Sequence, residues 1–297
     1  MQVGIDVGAT KIESVVLEEN GNEKHRSRIS CPKEYTQIVT AIRDIHRKLE
    51  QDFKQELPIG VCHPGVHSPQ TGLVKNAPNI TWLEKKPFQS DLRKALGKEV
   101  FCENDANCFA LSEAVDGGGK DYKVVFGVII GTGTGGGIVI DHKVLQGRNN
   151  IGGEWGHVTL PNRSNDEKKY VKDCYCGKNG CMETYVSGPG FASTFNLRFK
   201  KNYDSHKILE GFKDNDPDCH FALRQYTDHL ARGLSLVCNI LDPDVIVLGG
   251  GMSNIDFIYE NIDKALNKYV FTDTLHTKVV KNIHGDSSGV RGAAWLS

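Results

Sequence analysis

The sequence has no long apolar run, no surplus of charge and no paired-cysteine framework, and each absence removes a class of protein. Met1 leads straight into Gln2-Val-Gly-Ile-Asp6, without the positive start, apolar centre and cleavage site of a signal peptide. No stretch approaches the roughly 20 apolar residues of a membrane-spanning helix. A formal net charge of -1 gives no general attraction to nucleic acid or to an acidic membrane. Nine cysteines is an odd number, and Cys31, Cys62, Cys102, Cys108, Cys219 and Cys238 are scattered, which fits a reducing cytoplasm. One common phosphate signature, the Walker pattern, is missing as well. The expectation is a cytoplasmic protein that uses neither nucleic acid nor membrane.

What is present is long and ordinary in composition. At 297 residues, with 39% apolar and 25% charged residues, the chain predicts two globular domains. Residues 3–7 and 13–18 read as strands either side of a short loop, and Asn20-Gly21 turns into a third at 24–29. Apolar residues at helical spacing fill 35–53, a buried strand follows at 58–62, and 68–98 is loop-rich with a helix near 91–96. A short strand at 100–102 delivers Glu103-Asn104-Asp105 at its carboxyl end, ahead of a helix at 106–115. Ligands gather at such strand ends in α/β folds.

After the hinge candidate Gly117-Gly118-Gly119, the opening order repeats. A strand at 124–130, a glycine loop at 131–137, a strand at 138–140 and a turn at 141–142 read as an architectural duplication. Further on come a helix at 221–241, a strand at 244–248 ending in Gly249-Gly250-Gly251, a helix at 256–269 and a closing helix in the tail. The predicted domains are 1–118 and 119–286, with 287–297 packing back on the first.

Three cysteines in Cys174-Tyr-Cys176-Gly-Lys-Asn-Gly-Cys181, with His157 as fourth ligand, make a closed structural zinc site. The alternative is three incidental cysteines. Glu154 precedes His157 by three residues and Glu183 follows Cys181 by two, so a metal would pin two carboxylates suited to the hydroxyls of a sugar. Asp6-Val-Gly8-Ala-Thr10-Lys11 and Gly131-Thr132-Gly133-Thr134-Gly135-Gly136-Gly137 offer bare backbone for phosphates, and singly each reads equally as a hairpin turn. Two of them in equivalent places, with Gly249 to Gly251 as a third cluster, point to a nucleotide in a cleft between the domains. Asn104-Asp105 is either a helix cap or the carboxylate that accepts a hydroxyl proton in phosphoryl transfer.

Together, Asp6-x-Gly-x-Thr-Lys11, Glu103-Asn-Asp-Ala-Asn107, Gly131-Thr-Gly-x-Gly-Gly-Gly137, Glu154-Trp-Gly-His157 and Cys174-x-Cys-Gly-x-x-Gly-Cys-x-Glu183 resemble the ROK family of sugar kinases. The resemblance implies an actin-like ATPase (ribonuclease H-like) fold of two α/β domains, ATP with Mg²⁺, a structural Zn²⁺, a hexose as acceptor and a homodimer. It makes Asp105 the catalytic base and Asn104, Asp105, Glu154, His157 and Glu183 the sugar contacts. Gly4, Asp6, Gly8, Thr10, Lys11 and the two later glycine clusters become the nucleotide contacts. Ala9 departs from the pattern, which usually has glycine there. The stretches 74–77, 81–83 and 284–295 look most like bacterial fructokinases with mannokinase activity, so the expected reaction is fructose to fructose 6-phosphate, with mannose or glucose also accepted. An N-acetylglucosamine kinase is the alternative within the family. A sugar-sensing regulator is the alternative outside catalysis, with no DNA-binding segment ahead of the first strand.

Overall fold

Val3, Ile5 and Val7 alternate along β1 (Gln2–Val7) and are fully buried, so the strand runs through the core and ends on Asp6 and the loop after it. In this computed structural model, which describes residues 1–77 and 80–297, β1 pairs antiparallel with β2 (Lys11–Leu17), which pairs antiparallel with β3 (Glu23–Ser30). Pro78 and Asn79, in the stretch read as loop, lie outside the described residues. Helix α1 (Tyr35–Phe53) buries Ile38, Ile42, His46 and Leu49 along one stripe and leads to β4 (Ile59–His63), parallel to β1. A small hairpin, β5 (Val66–His67) and β6 (Val74–Lys75), and α2 (Phe88–Leu96) precede β7 (Phe101–Asn104), which lies parallel to β4. Helix α3 (Asp105–Val115) follows β7 with no residue between. The sheet order is β3-β2-β1-β4-β7.

The second half begins with β8 (Val124–Ile130), β9 (Thr134–Ile140) and β10 (Lys143–Val144). After α4 (Asn165–Lys169), α5 (Glu183–Val186), α6 (Gly188–Phe199), α7 (Ser205–Lys213) and α8 (Pro217–Leu241) come β11 (Val245–Gly249), α9 (Asp256–Leu266), β12 (Lys278–Lys281) and α10 (Ser288–Ala294). The second sheet runs β10-β9-β8-β11-β12. Counted within each sheet in chain order, both read third, second, first, fourth, fifth, so the duplication read from the sequence is present in the topology. No helix among the described residues is long and apolar enough to cross a membrane.

Two compact units result: Met1–Asp121 with Gly137–Gly152 and Ile283–Ser297, and Tyr122–Gly136 with Gly153–Asn282. The sequence reading put 137–152 in the second domain, and the structure groups it with the first. The reason is Gly137, where an added Cβ would lie 2.7 Å from the Ala106 carbonyl oxygen of α3. The tail joins the first unit at Ile283, because the Ile283 and His284 amides donate to the Glu113 carboxyl group at 3.1 and 3.3 Å. The glycine loop is also shorter than expected: β9 starts at Thr134, and the turn is closed at Gly131 to Gly133 by a 3.0 Å backbone hydrogen bond. Helices α4 to α7 were not anticipated, although Ser164 with Glu167, Ser187 and Asp204 are N-caps whose side chains accept backbone hydrogen bonds.

Helix α10 approaches the first sheet closely enough that only glycine fits beneath it. A Cβ on Gly4 would meet the Val290 oxygen at 2.1 Å, and one on Gly60 the Ala293 oxygen at 1.9 Å. Gly60→Ala should therefore cost about 1 to 3 kcal/mol through overpacking of a rigid backbone, read as a lowered urea midpoint. A midpoint equal to that of the unsubstituted protein would show that α10 shifts freely.

Candidate functional site

From Cys102 to Ala114 every residue is buried except Asp105. The run is buried in β7 and α3, its polar members Glu103, Asn104, Asn107 and Glu113 included, and the chain turns from strand to helix where Asp105 emerges. Its neighbours are fixed. Asn104 caps α3 by accepting the Asn107 amide at 2.7 Å, and the buried Glu103 accepts the Asn104 amide and the Asn107 side chain, both at 3.0 Å. Gln146 donates to the other Glu103 oxygen. Asn104, expected at the sugar, thus serves as the helix cap as well. Asp105 is exposed as a residue, yet the protein packed around its carboxyl desolvates it and lifts its pKa above the ordinary aspartate value, against the hydrogen bond from the Ala106 amide.

Asp6, near the end of β1, is like Asp105 a carboxylate of the first unit whose pKa is raised. Burial, then the charges of Asp105 and Glu13, push it up to about 6, with a Cys62 hydrogen bond and Lys11 acting in the other direction. Such a group gains from a cation, and a carboxylate oxygen is the donor type that Mg²⁺ takes. The adjoining turn is closed by the Gly8 amide on the Lys11 carbonyl at 2.9 Å. Thr10 is exposed, and the Lys11 ammonium rests 3.2 Å from Glu13.

In the second unit the remaining glycine clusters come together. The Gly188 amide donates to the Gly131 oxygen at 2.8 Å, and Gly250 (φ 82°) sits against the Ile130 carbonyl. A Cβ on Gly131 or Gly251 would meet nothing within 4 Å, and neither residue has a positive φ. Neither packing nor conformation requires glycine at those two positions, which leaves room for close approach of a ligand. Other glycines of the expected nucleotide set have structural reasons. Gly4 lies under α10, Gly136 would place a Cβ 2.7 Å from Trp155, and Gly137 lies on α3. Gly135 offers its carbonyl to the Trp155 indole at 2.9 Å, and Thr132 and Gly133 are exposed.

Thr134 links the loop to the carboxylates. Its amide donates to Glu183 at 3.0 Å, so Glu183, the first residue of α5, is tied to the glycine turn. Glu154 is exposed just ahead of the Trp155–His157 turn. That turn is pinned because Trp155 packs edge-on against Phe126, and Gly156 lies where a Cβ would be 2.1 Å from the Thr134 oxygen.

His157, Cys174, Cys176 and Cys181 present their ligand atoms within 4.8 Å of one another. The Cys176 and Cys181 sulfurs are 3.6 Å apart, and the Cys174 sulfur is 3.5 Å from His157 Nδ1. A tetrahedral zinc with sulfur at about 2.3 Å sets its ligand atoms roughly 3.5 to 3.8 Å apart, so these donors fit one ion. Gly177 (φ 84°) and Gly180 (φ 78°) make the turns that fold the loop round the cluster. The other imidazole nitrogen, Nε2, lies 3.0 Å from the hydroxyl of Tyr175, a residue the sequence reading passed over.

A family model described as the ROK family matches residues 2–297. The chain belongs to the ROK family. The N-acetyl-D-glucosamine kinase of Vibrio cholerae is 38% identical over 301 residues, covering 100% of this chain and 99% of that one. The enzyme of that name from Histophilus somni is 36% identical over 301 residues, covering 100% and 98%. The crystal structure of the ROK hexokinase from Thermus thermophilus is similar with a TM-score of 0.89 at 27% identity, covering 100% of this chain and 97% of that one. That of the ROK family glucokinase from Streptomyces griseus, in complex with glucose and AMPPNP, has a TM-score of 0.75 at 26% identity, covering 100% and 98%. The actin-like α/β fold expected from the motifs therefore holds for this ROK chain. The narrower expectation, a bacterial fructokinase, is not the one favoured by the Vibrio cholerae and Histophilus somni relatives, whose names specify N-acetyl-D-glucosamine.

The metal cluster yields a direct test on this ROK protein. Purified chain should carry one zinc by elemental analysis, and Cys176→Ser should lose the ion and melt at a lower temperature, because metal binding is coupled to folding of the loop. A fully active preparation without metal would contradict the assignment.

Proposed function

We propose that this chain transfers the γ-phosphoryl group of ATP to the 6-hydroxyl of N-acetyl-D-glucosamine. Sugar kinase activity itself follows from membership of the ROK family over residues 2–297 together with relatives matched along their whole length. The choice of sugar is supported by the names of those relatives, and the choice of base by one observation, the exposed Asp105 in a run of buried residues.

Phosphoryl transfer leaves the protein little covalent work beyond positioning and charge. The sugar oxygen bonds to the γ-phosphorus as the bond to the leaving ADP breaks, and the hydroxyl proton passes to Asp105. An ordinary alcohol is far too weak an acid for a carboxylate in the ground state, so Asp105 acts as the oxygen bonds to phosphorus and its proton becomes acidic. Mg²⁺, when bound, neutralises phosphate charge, and Asp6 is the residue suited to hold it. Asn104, Glu154, His157 and Glu183 are assigned to the remaining polar groups of the sugar. The bare backbone at Gly131 and Gly251 is assigned to the nucleotide, and the zinc to holding the loop.

ADP release measured with N-acetyl-D-glucosamine, fructose, mannose and glucose should give the highest kcat/KM for N-acetyl-D-glucosamine. A higher value for fructose would restore the fructokinase reading, and no turnover with any hexose would favour a sensor.

The pH dependence follows from Asp105. It must be ionised to accept the proton, and its raised pKa places the loss of the ionised form at a higher pH than for a free aspartate, near ~3.9. The acid limb of kcat/KM should accordingly fall above that value. Asp105→Ala should lose about a hundredfold to ten-thousandfold in kcat, roughly 3 to 5 kcal/mol of barrier, and should keep most of its sugar affinity in calorimetry. Near-normal turnover in the variant would leave Asp105 as nothing more than the first residue of a helix.

A further inference from the structure

Tyr175 sits between the first two metal-binding thiols, and packing gives no reason for an aromatic residue there. Its side chain is 72% exposed. Yet it is not loose, since its backbone lies between Cys174 and Cys176 and its hydroxyl is 3.0 Å from His157 Nε2. The two rings meet edge to face at 5.2 Å and 85°. His157 turns Nδ1 toward the Cys174 sulfur, and a metal held there leaves the proton on Nε2, which donates to the Tyr175 oxygen. The phenol, in turn, is free to donate its own proton. Through this contact with His157, which the proposed function assigns to the sugar, one aromatic face, one hydroxyl and one imidazole N–H belong to a single surface of the second unit.

An acetamido group has three parts: a carbonyl oxygen that accepts, an N–H that donates and a methyl that seeks apolar cover. Neither Glu154 nor Glu183 can donate to the carbonyl when ionised, and neither covers a methyl. Tyr175 can do both, with its hydroxyl and its ring. The chemistry of the ring supports the placement. In a pyranose, C2 stands across the ring from C5, which carries C6, so the acetamido group is recognised by residues other than the base acting at the 6-hydroxyl.

We propose that Tyr175 is a specificity-determining residue that recognises the acetamido group of the sugar, its hydroxyl donating to the carbonyl oxygen and its ring covering the methyl. The inference rests on the reading of the chain as an N-acetyl-D-glucosamine kinase. In the sugar-free protein the hydroxyl occupies the His157 N–H, and the sugar carbonyl gives it a second partner. Glucose, which has only a hydroxyl at C2, engages neither the ring nor this donor in that way.

The test is discrimination, measured on the full chain with N-acetyl-D-glucosamine and glucose. Tyr175→Ala should lower the ratio of kcat/KM for the two sugars by about tenfold or more, through the KM for N-acetyl-D-glucosamine. Tyr175→Phe, which keeps the ring, should lower it less. Saturation transfer from protein to the acetyl methyl should weaken in Tyr175→Ala. Zinc content is measured alongside, and if Tyr175→Ala loses the ion, Tyr175→Phe decides: an unchanged ratio overturns the proposal. Equal effects on both sugars in a metal-replete variant overturn it as well, since a merely structural residue would behave so. A parent protein that prefers N-acetyl-D-glucosamine while its variants keep the preference refutes Tyr175 alone. A parent that does not phosphorylate N-acetyl-D-glucosamine refutes the functional reading and the inference with it.

Discussion

A single carboxyl group with no exposed surface, that of Glu113, holds the first unit together. It accepts hydrogen bonds from the Gly118 amide at 2.9 Å, the Ile283 amide at 3.1 Å, the His284 amide at 3.3 Å and the Ser288 hydroxyl at 3.0 Å. These donors come from two stretches far apart in sequence, so the group joins the end of α3 to the returning tail. Replacing it by an apolar residue would leave these donors without their acceptor, at about 1 to 3 kcal/mol for a buried one such as the Ser288 hydroxyl. The hinge candidate is answered at the same place: Gly117 is glycine because a Cβ would lie 2.3 Å from this carboxyl group. Helix α3 is then fixed at both ends, by Glu113 at its last turn and by the Glu103, Asn104 and Asn107 hydrogen bonds at its first. Gly292, where a Cβ would meet the Cys108 oxygen at 1.7 Å, locks α10 against its middle. Asp105 owes its position to these three restraints and to no partner of its own side chain beyond the Ala106 amide.

The second unit solves a related problem with different means. Its loops between β10 and α5 bury little, and polar anchors replace a core. Glu167 accepts from the Ser164 amide at 2.7 Å and from His229 at 2.8 Å, and pairs with Arg232, which also donates to the Pro161 and Asn162 oxygens at 3.1 Å. Burial alone would raise the Glu167 pKa, but the His229 and Arg232 hydrogen bonds outweigh it and hold the carboxyl well below the usual range. That anchor secures the outer part of the segment to α8, and the Cys and His cluster secures the inner part. Two clamps of this kind leave the residues between them oriented without a hydrophobic face, which is why Glu154, Tyr175 and Glu183 can be both polar and placed.

Strong periodicity was legible in the sequence: α1 and β8 have the bounds the pattern predicts, and the shared strand order of the two sheets matches the duplication seen in the glycine turns. The convergence of His157, Cys174, Cys176 and Cys181 was legible too, because three thiols and an imidazole on short glycine-bearing loops make up a donor set suited to a tetrahedral ion. Short helices such as α4 and α5 were not, since four or five residues carry no usable period. The reach of the first unit into 137–152 was hidden for another reason. It depends on a backbone contact at Gly137, and a glycine kept for close packing looks the same in sequence as one kept for a phosphate. Gly4, Gly136 and Gly137 have packing reasons to be glycine, whereas nothing in the fold requires glycine at Gly131 and Gly251. Tyr175 carries no signal of its own, since a metal motif is defined by its ligands, whereas the residue between two ligands is held as firmly as they are.

Asp6 and Asp105, the carboxylates of the first unit whose pKa is raised, divide the demands of the proposed phosphoryl transfer between them. Both are raised, so in neither is the ionised form at ease, and each gains by acquiring positive charge. For Asp6, whose pKa lies near 6 in part because Asp105 is charged, the remedy at neutral pH is a cation, since a proton would be lost. For Asp105 the remedy is the proton released by the acceptor hydroxyl, and taking it up also removes one of the charges acting on Asp6. An aspartate that were fully solvated would be a weaker base and one bonded to an arginine weaker still. The absence of any cationic side chain bonded to Asp105 among the described residues, in a chain where Glu13, Asp116 and Glu167 are all paired with arginines, is therefore a requirement of the chemistry proposed for it.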